Sequence, residues 1–351
     1  MKVISIIGAR PQFIKAAPLS HALKKQGIEE LIIHTGQHYD PLMSQAFFDE
    51  LSIPEPKYNL NISQLSHGAM TGRMLEAIET VLLKEEPEMV IVFGDTNSTL
   101  AGALAAKKIG IPIAHIESGM RSYLNFQPEE INRVLCDRIS DLLFVSSSDA
   151  RQNLINEGHS EEKIVFSGDI MYDLFKAHED EASHSHLKGL TTPFALLTLH
   201  RQENVDDPYK LRQWLNALND LAQHIPLLIP LHPRTKAKIE ALDFDLHAQI
   251  IKPCSYLEML GLLKACTLVV TDSGGLQKEA YFAKKACLTM RDATEWIELI
   301  NVGANRLCSP DNLVAEFSKI LEAKLEFPEL FGDGHAAEII AQKIQFFLEG
   351  N

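Results

Sequence analysis

Short apolar runs recur along the chain, each followed by glycine or polar residues and then by a stretch with helical spacing. In the first half these runs are Val3–Ile7, Glu30–His34, Met89–Phe93, Ile113–Ile116 and Leu142–Val145. A second series covers Phe194–Leu199, Leu227–Ile229, Gln249–Ile251, Leu268–Thr271 and Ala286–Thr289. Continuous apolar, β-branched runs alternating with helical stretches predict parallel strands covered by helices on both faces. Between the series, Lys176 to Thr192 is polar and weakly periodic, which reads as a helix end and a linker. Ala336–Leu348 has the spacing of an amphipathic helix. The expected fold is α/β, with two doubly wound, Rossmann-like domains facing across a cleft. Their expected bounds are 1–170 and 171–335, with a C-terminal helix in 336–351.

A length of 351 residues is too long for one ordinary α/β core and suits two. The formal net charge of −14 opposes nucleic acid and anionic membrane as partners, so an anionic ligand needs a local basic pocket. The longest apolar runs are far too short to cross a bilayer. The start, Met1 to Gly8, reads as a first strand rather than a signal, because Arg10 interrupts it and no small-residue cleavage site follows. Five scattered cysteines without a CxxC pair point to a reducing cytoplasm, with no disulfide framework and no thiolate metal site.

In open α/β sheets ligands bind beyond the carboxyl ends of the strands, so the residues following each run hold the most information. After the first strand comes Gly8-Ala9-Arg10-Pro11-Gln12-Phe13-Ile14-Lys15, which is not a dinucleotide fingerprint. Arg10 and Lys15 flank a helix start and suit phosphate, or are simply solvated. Asp95, in Gly94-Asp95-Thr96-Asn97-Ser98-Thr99, is either a helix N-cap or a catalytic carboxylate. Glu117 ends an apolar strand and is either paired or placed for use. In the helix opening at Pro128, Ile131, Val134 and Leu135 share one face and Glu129 and Arg133 the opposite one. That pair reads as a solvated i,i+4 contact or as a carboxylate held by an arginine in a cleft. His200 and Arg201 follow the first strand of the second series, and His232 the next. Ser273, Gly274 and Gly275 form a strand-to-helix turn whose backbone can approach phosphate, with Glu279 one turn on to meet ribose hydroxyls. No P-loop is present, so a sugar-nucleotide diphosphate fits better than a triphosphate.

Seven segments in register resemble the non-hydrolysing UDP-N-acetylglucosamine 2-epimerase family: GARPQFIKAAPL at 8–19, TGQHYD at 35–40, GDTNST at 94–99, HIESGMRS at 115–122, PEEINR at 128–133, HRQEN at 200–204 and DSGGLQKEA at 272–280. The resemblance implies a glycosyltransferase-B-like pair of domains with the C-terminal helix 336–351 returning to the first, a homodimer, a UDP-linked 2-acetamido sugar as ligand, a polysaccharide precursor pathway, and no metal or cofactor. It implies that Arg10, Lys15, Ser273, Gly274, Gly275 and Glu279 hold UDP, with Arg201 and His232 beside them. Asp95, Glu117, Glu129, Arg133 and His200 would surround the sugar. A hydrolysing epimerase and a glycosyltransferase of the same fold are the competing activities. GDTNST speaks for the non-hydrolysing branch, since hydrolysing relatives tend to carry a GDR-type sequence there.

The chain departs from the family pattern in places. Ser118 replaces a frequent alanine, Asn125-Phe126-Gln127 a commoner Ser-Pro-aromatic run, and QHYD the QHRE of substrate-activated members. Lys278 stands where a glutamate is usual, and Trp296 where many members have arginine. The QKEAYF and RDATEW segments resemble the branch acting on modified sugars, including 2,3-diacetamido uronates. Lys278 reads either as a cation attracting a uronate or as a solvent-facing neighbour of Glu279.

Overall fold

The computed structural model describes residues 1–37, 51, 53–124, 126–181 and 193–350, though not the side chain of Arg10. The end of the TGQHYD segment, Asn125 and the second half of the polar linker therefore lie outside the described residues.

The chain divides into two compact units. Unit 1 comprises Met1–Ala177 and Glu329–Asn351, and unit 2 comprises His178–Pro328. Unit 1 contains strands β1 (Lys2–Ile7), β2 (Glu29–His34), β3 (Tyr58–Asn59), β4 (Met89–Phe93), β5 (Ile113–Ile116), β6 (Leu142–Val145) and β7 (Ile164–Phe166). They form one sheet in the order β3-β2-β1-β4-β5-β6-β7, and every adjacent pair is parallel. Its helices are α1 (Arg10–Lys25), α2 (His67–Glu85), α3 (Asn97–Lys108), α4 (Pro128–Ile139), α5 (Ser148–Asn156) and α6 (Ile170–His178), whose last residue reaches unit 2.

Unit 2 contains β8 (Ala195–Thr198), β9 (Leu227–Pro230), β10 (Gln249–Ile251), β11 (Leu268–Thr271), β12 (Ala286–Thr289) and β13 (Asn305–Leu307). Their order, β10-β9-β8-β11-β12-β13, is again all parallel. Its helices are α7 (Gln202–Val205), α8 (Pro208–Ala222), α9 (Pro233–Ala241), α10 (Tyr256–Ala265), α11 (Gly274–Phe282), α12 (Ile297–Asn301) and α13 (Leu313–Glu322). Counted within its own unit, each sheet has the doubly wound 3-2-1-4-5-6 order, extended by a seventh strand in unit 1, and the strand order reverses beside β1 and β4 in one and beside β8 and β11 in the other.

The central strands form because they are apolar on both faces. All five residues of β4 are buried, as are all four of β5, β6, β11 and β12. Ile4, Ile6, Val90 and Val92 pack with Met74 and Ile78 of α2 and Ala103 of α3, while Leu197, Ile229 and Val270 pack with Trp214 and Leu218 of α8. Three edge strands, β3, β7 and β13, were not predicted. β3 and β13 are two or three residues long and include polar ones, and β7 is an apolar run of only three, Ile164-Val165-Phe166, too short to stand out as a strand.

The last helix, α14 (Ala336–Leu348), belongs to unit 1 and packs against α1. Its first turn is capped from far along the chain. The Asp173 carboxylate accepts from the backbone N–H of Ala336 at 3.0 Å and Ala337 at 2.7 Å. Two glycines in left-handed conformation, Gly168 and Gly332, let the returning segment pass close by, and Asp169 N–H donates to Phe331 O at 2.8 Å.

α4 is turned opposite to what its apolar residues suggest. Ile131, Val134 and Leu135 are exposed, while Glu130, Asn132, Arg133, Cys136 and Asp137 are buried. A polar face directed inward is costly unless each group is partnered, and its partners lie at the candidate site. Among the described residues no helix is long and apolar enough to cross a membrane.

Candidate active site

In unit 1 the turns after β1, β4 and β5 come together. Gln12, 1% exposed, ties the first two. Its Oε1 accepts from Gly8 N (2.8 Å) and Ala9 N (3.0 Å), and its Nε2 faces Phe93 O (2.9 Å), Thr96 Oγ1 and Thr99 Oγ1 (both 3.0 Å). Sequence reading passed over Gln12. Its signal was a polar residue among the buried positions of α1. Gly8 is required for space, because a Cβ there would lie 2.0 Å from Thr35 Oγ1 and 2.3 Å from Ser98 Oγ.

Asp95 is not the cap of α3. Thr96 takes that place, in a capping box with Thr99. The Asp95 carboxylate is left for Arg133, whose Nη2 donates to Oδ2. Arg133 Nη1 binds Glu130 Oε2 at 3.0 Å, and Asn132 Nδ2 holds Asp95 O at 2.9 Å. Arg133 thus pairs with Asp95 and Glu130, and Glu129 stands on the exposed side of the first turn of α4.

Glu117 has φ of 67°, a left-handed conformation rare for a side chain of this kind and typical of strained functional positions. Its carboxylate is ion-paired with the buried ammonium of Lys15. Gly94 lies against both, since a Cβ there would sit 3.3 Å from Glu117 Oε2 and from Lys15 Nζ. The structure therefore places Lys15, Asp95, Glu117 and Arg133 at neighbouring strand ends of one sheet, with Arg10 opening α1 among them.

In unit 2 the fully buried Asp272, just past β11, organises the turn after β8. It accepts from the backbone N–H of His200 (3.0 Å) and Arg201 (2.8 Å), and His200 Nδ1 lies 3.1 Å from Oδ1. Burial pushes the Asp272 carboxyl up, but the His200 ring and these backbone donors outweigh it and hold the group below the usual carboxylate range. His200 is half-exposed beyond this anchor. Ser273 caps α11, its Oγ accepting from Leu276 N at 3.4 Å. Gly274 and Gly275 open that helix, and Glu279 is half-buried one turn on. A Cβ on Gly274 would meet Glu295 Oε1 at 2.6 Å, and Arg201 Nη2 lies 3.6 Å from the same point. His232 is an exposed N-cap of α9. Gln277, fully buried, accepts from Thr294 Oγ1 (2.8 Å) and Asn305 Nδ2 (2.9 Å), fixing the segment that carries Glu295.

Lys278 does not face solvent. It is 1% exposed, and its ammonium lies 4.0 Å from the centre of the buried Trp296 ring. The two positions where the chain departs from the family's glutamate and arginine thus touch each other.

Comparison with known proteins agrees with this architecture. The family model described as UDP-N-acetylglucosamine 2-epimerase matches residues 21–345. The chain belongs to the UDP-N-acetylglucosamine 2-epimerase family. Among relatives of this isomerase family, the UDP-2,3-diacetamido-2,3-dideoxy-D-glucuronate 2-epimerase of Pseudomonas aeruginosa is 49% identical over 349 residues, covering 97% of this chain and 99% of that one. The UDP-N-acetylglucosamine 2-epimerase of Escherichia coli K12 is 32% identical, with 98% of each chain covered. The crystal structure of the Methanocaldococcus jannaschii UDP-GlcNAc 2-epimerase in complex with UDP-GlcNAc and UDP superposes with a TM-score of 0.93 at 40% identity, covering 99% of this chain and 100% of that one.

Proposed function

We propose that the chain inverts carbon 2 of a UDP-linked 2-acetamido sugar without hydrolysing it, and that its substrate is the 2,3-diacetamido uronate. The 49% identity to the Pseudomonas aeruginosa enzyme across nearly the whole of both chains carries the substrate assignment. The strained, lysine-paired Glu117 beside the Arg133-bound Asp95 supports the chemistry.

Carbon 2 has no adjacent carbonyl, so its hydrogen is not acidic in the starting sugar. A carboxylate removes it as the C1–O bond to UDP breaks. The C–H electrons become the C1=C2 bond of a 2-acetamidoglucal, and the C–O electrons leave on UDP. In the return step a carboxylic acid protonates C2 on the other face, and a phosphate oxygen of UDP re-forms the bond to C1. Asp95, Glu117 and Glu129 are the acid–base groups in this reading. Arg133 orients Asp95, and Lys15 orients Glu117. Arg10, Lys15 and His200 meet the charge that grows on the departing diphosphate. Ser273, Gly274, Gly275, Glu279, Arg201 and His232 bind the nucleotide. The protein acts as a homodimer, and a second copy covers the apolar stripe Ile131, Val134 and Leu135.

The test is an NMR time course in deuterium oxide with UDP-N-acetylglucosamine and, separately, the 2,3-diacetamido uronate donor. A UDP-linked epimer carrying deuterium at C2, formed faster from the uronate, is the expected result. Free sugar with UDP would make the enzyme hydrolysing. Faster turnover of the plain sugar would sink the substrate assignment. A sedimentation measurement with Val134→Glu tests the dimer, with a shift to monomer expected.

A further inference from the structure

His115 lies in the middle of the unit 1 sheet and has no solvent contact. Both of its ring nitrogens face acceptors. Nδ1 is 2.7 Å from Asp137 Oδ1, and Nε2 is 2.7 Å from the backbone oxygen of Gly94. A backbone carbonyl can only accept, and a neutral imidazole has only one N–H to give. A neutral ring here would need the proton on Asp137 instead. The surroundings of Asp137 oppose that. Its Oδ2 already receives Arg121 Nη1 at 2.8 Å and Gly119 N at 3.1 Å. Arg121 in turn binds Glu157 through Nε and Nη2, both at 2.6 Å. With the ring charged, cation and anion alternate from His115 through Asp137 and Arg121 to Glu157, which reaches solvent.

We infer that His115 is a buried imidazolium and the positioning residue for the acid–base groups, resting on the 2-epimerase reading above. Through Nε2 it fixes the Gly94 carbonyl, one residue before Asp95. Through Asp137 it fixes Gly119 N, two residues after Glu117. Gly119 has φ of 77°, and a Cβ there would stand 2.3 Å from Ala150 O, so that turn has no other way to pass. One charged ring thus sets two turns from neighbouring strands in register. None of these atoms touches substrate in this scheme. The ring acts through the placement of Asp95 and Glu117.

The test combines a spectroscopic readout with kinetics. In protein labelled with 15N-histidine at neutral pH, both ring nitrogens of His115 should carry protons, with the signals identified by their loss in His115→Phe. His115→Phe frees the Gly94 carbonyl and should lower kcat about a hundredfold with KM little changed, the usual result of a small misplacement. Asp137→Asn can keep every hydrogen bond while the ring turns neutral, so it should show one ring proton and a kcat loss of about tenfold. A single ring proton in the wild type overturns the proposal, as does a folded His115→Phe protein with wild-type kcat. Should His115→Phe not fold, Asp137→Asn decides, and unchanged kcat or unchanged ring protonation there refutes it. Should the wild type not epimerise at all, the functional reading falls while the ring signature still judges His115.

Discussion

The two units repeat one strand order and use it in opposite ways. In unit 1 the polar and charged groups at the strand ends answer one another: Lys15 with Glu117, Arg133 with Asp95 and Glu130, Asp137 with Arg121 and His115. In unit 2 the buried carboxylate of Asp272 is satisfied mainly by backbone N–H groups and His200, and His200, Arg201 and His232 stand at least partly exposed. Mutually paired charges are pre-aligned and resist movement, which suits proton transfer at fixed positions. Backbone donors, glycines and exposed cations at strand ends suit reception of an anion. A shared topology therefore does not predict a shared role, because the turn residues decide it.

The sharpest test of this contrast is Glu117→Gln. It removes the carboxylate and leaves the shape, so C2 deuterium exchange should fall by about a thousandfold with UDP affinity nearly unchanged, while the melting temperature drops because the buried Lys15 ammonium loses its partner. An equally large loss from Ser273→Ala would break the proposed division of labour. Trp296→Ala comes next. It opens a cavity over the buried Lys278 and should cost about 3 kcal/mol in a thermal or denaturant melt. If the Lys278–Trp296 pair is structural, a folded Lys278→Met protein retains the wild-type preference between the two sugar donors. A lost preference would return Lys278 to substrate selection.

The third prediction concerns pH. Burial raises the Asp173 carboxyl from 3.8 to about 6, against the lowering effect of the Ala337 and Ala336 N–H groups, with Asp169 adding to the rise and His335 opposing it. The folded chain holds this proton more tightly than the unfolded one. Its contribution to stability is therefore complete below pH 3.8 and is lost as pH climbs through about 6. Asp173→Asn should flatten that part of the stability profile, and an unchanged profile would remove Asp173 as its source. The smallest effect is Ser273→Ala, about 1 kcal/mol from the lost cap of α11, measured by melting, with a modest loss of UDP affinity.

The central strands were legible to within a residue or two because strands buried on both faces must be apolar throughout. Met89–Phe93 and Leu268–Thr271 are cases where the run and the strand coincide. The edge strands β3, β7 and β13 were not, since two or three residues carry little signal, whereas the edge strand β10 coincides with the run Gln249–Ile251. The site was legible as a set of strand-end residues but not as pairs. Glu129 seemed the natural partner of Arg133 by helical spacing, yet α4 turns its polar face inward and Arg133 reaches Asp95 across the sheet. No periodicity tells which face of such a helix is buried once the polar face has its own partners. Asp95 resembled a cap because Thr96 beside it is equally able to be one. Lys278 read either as a cation for a uronate or as a solvent-facing residue, because only the fold brings Trp296 over it.

The order of the chain also bears on how the molecule is made. Unit 1 needs α14, which leaves the ribosome after every residue of unit 2. During synthesis unit 1 stays incomplete, with the flank of α1 that α14 covers still bare and Asp173 holding no helix, while unit 2 has all its parts and can finish first. The earliest-made half of the protein is thus the later to mature, and this is the interval in which a chaperone would find an apolar surface to hold.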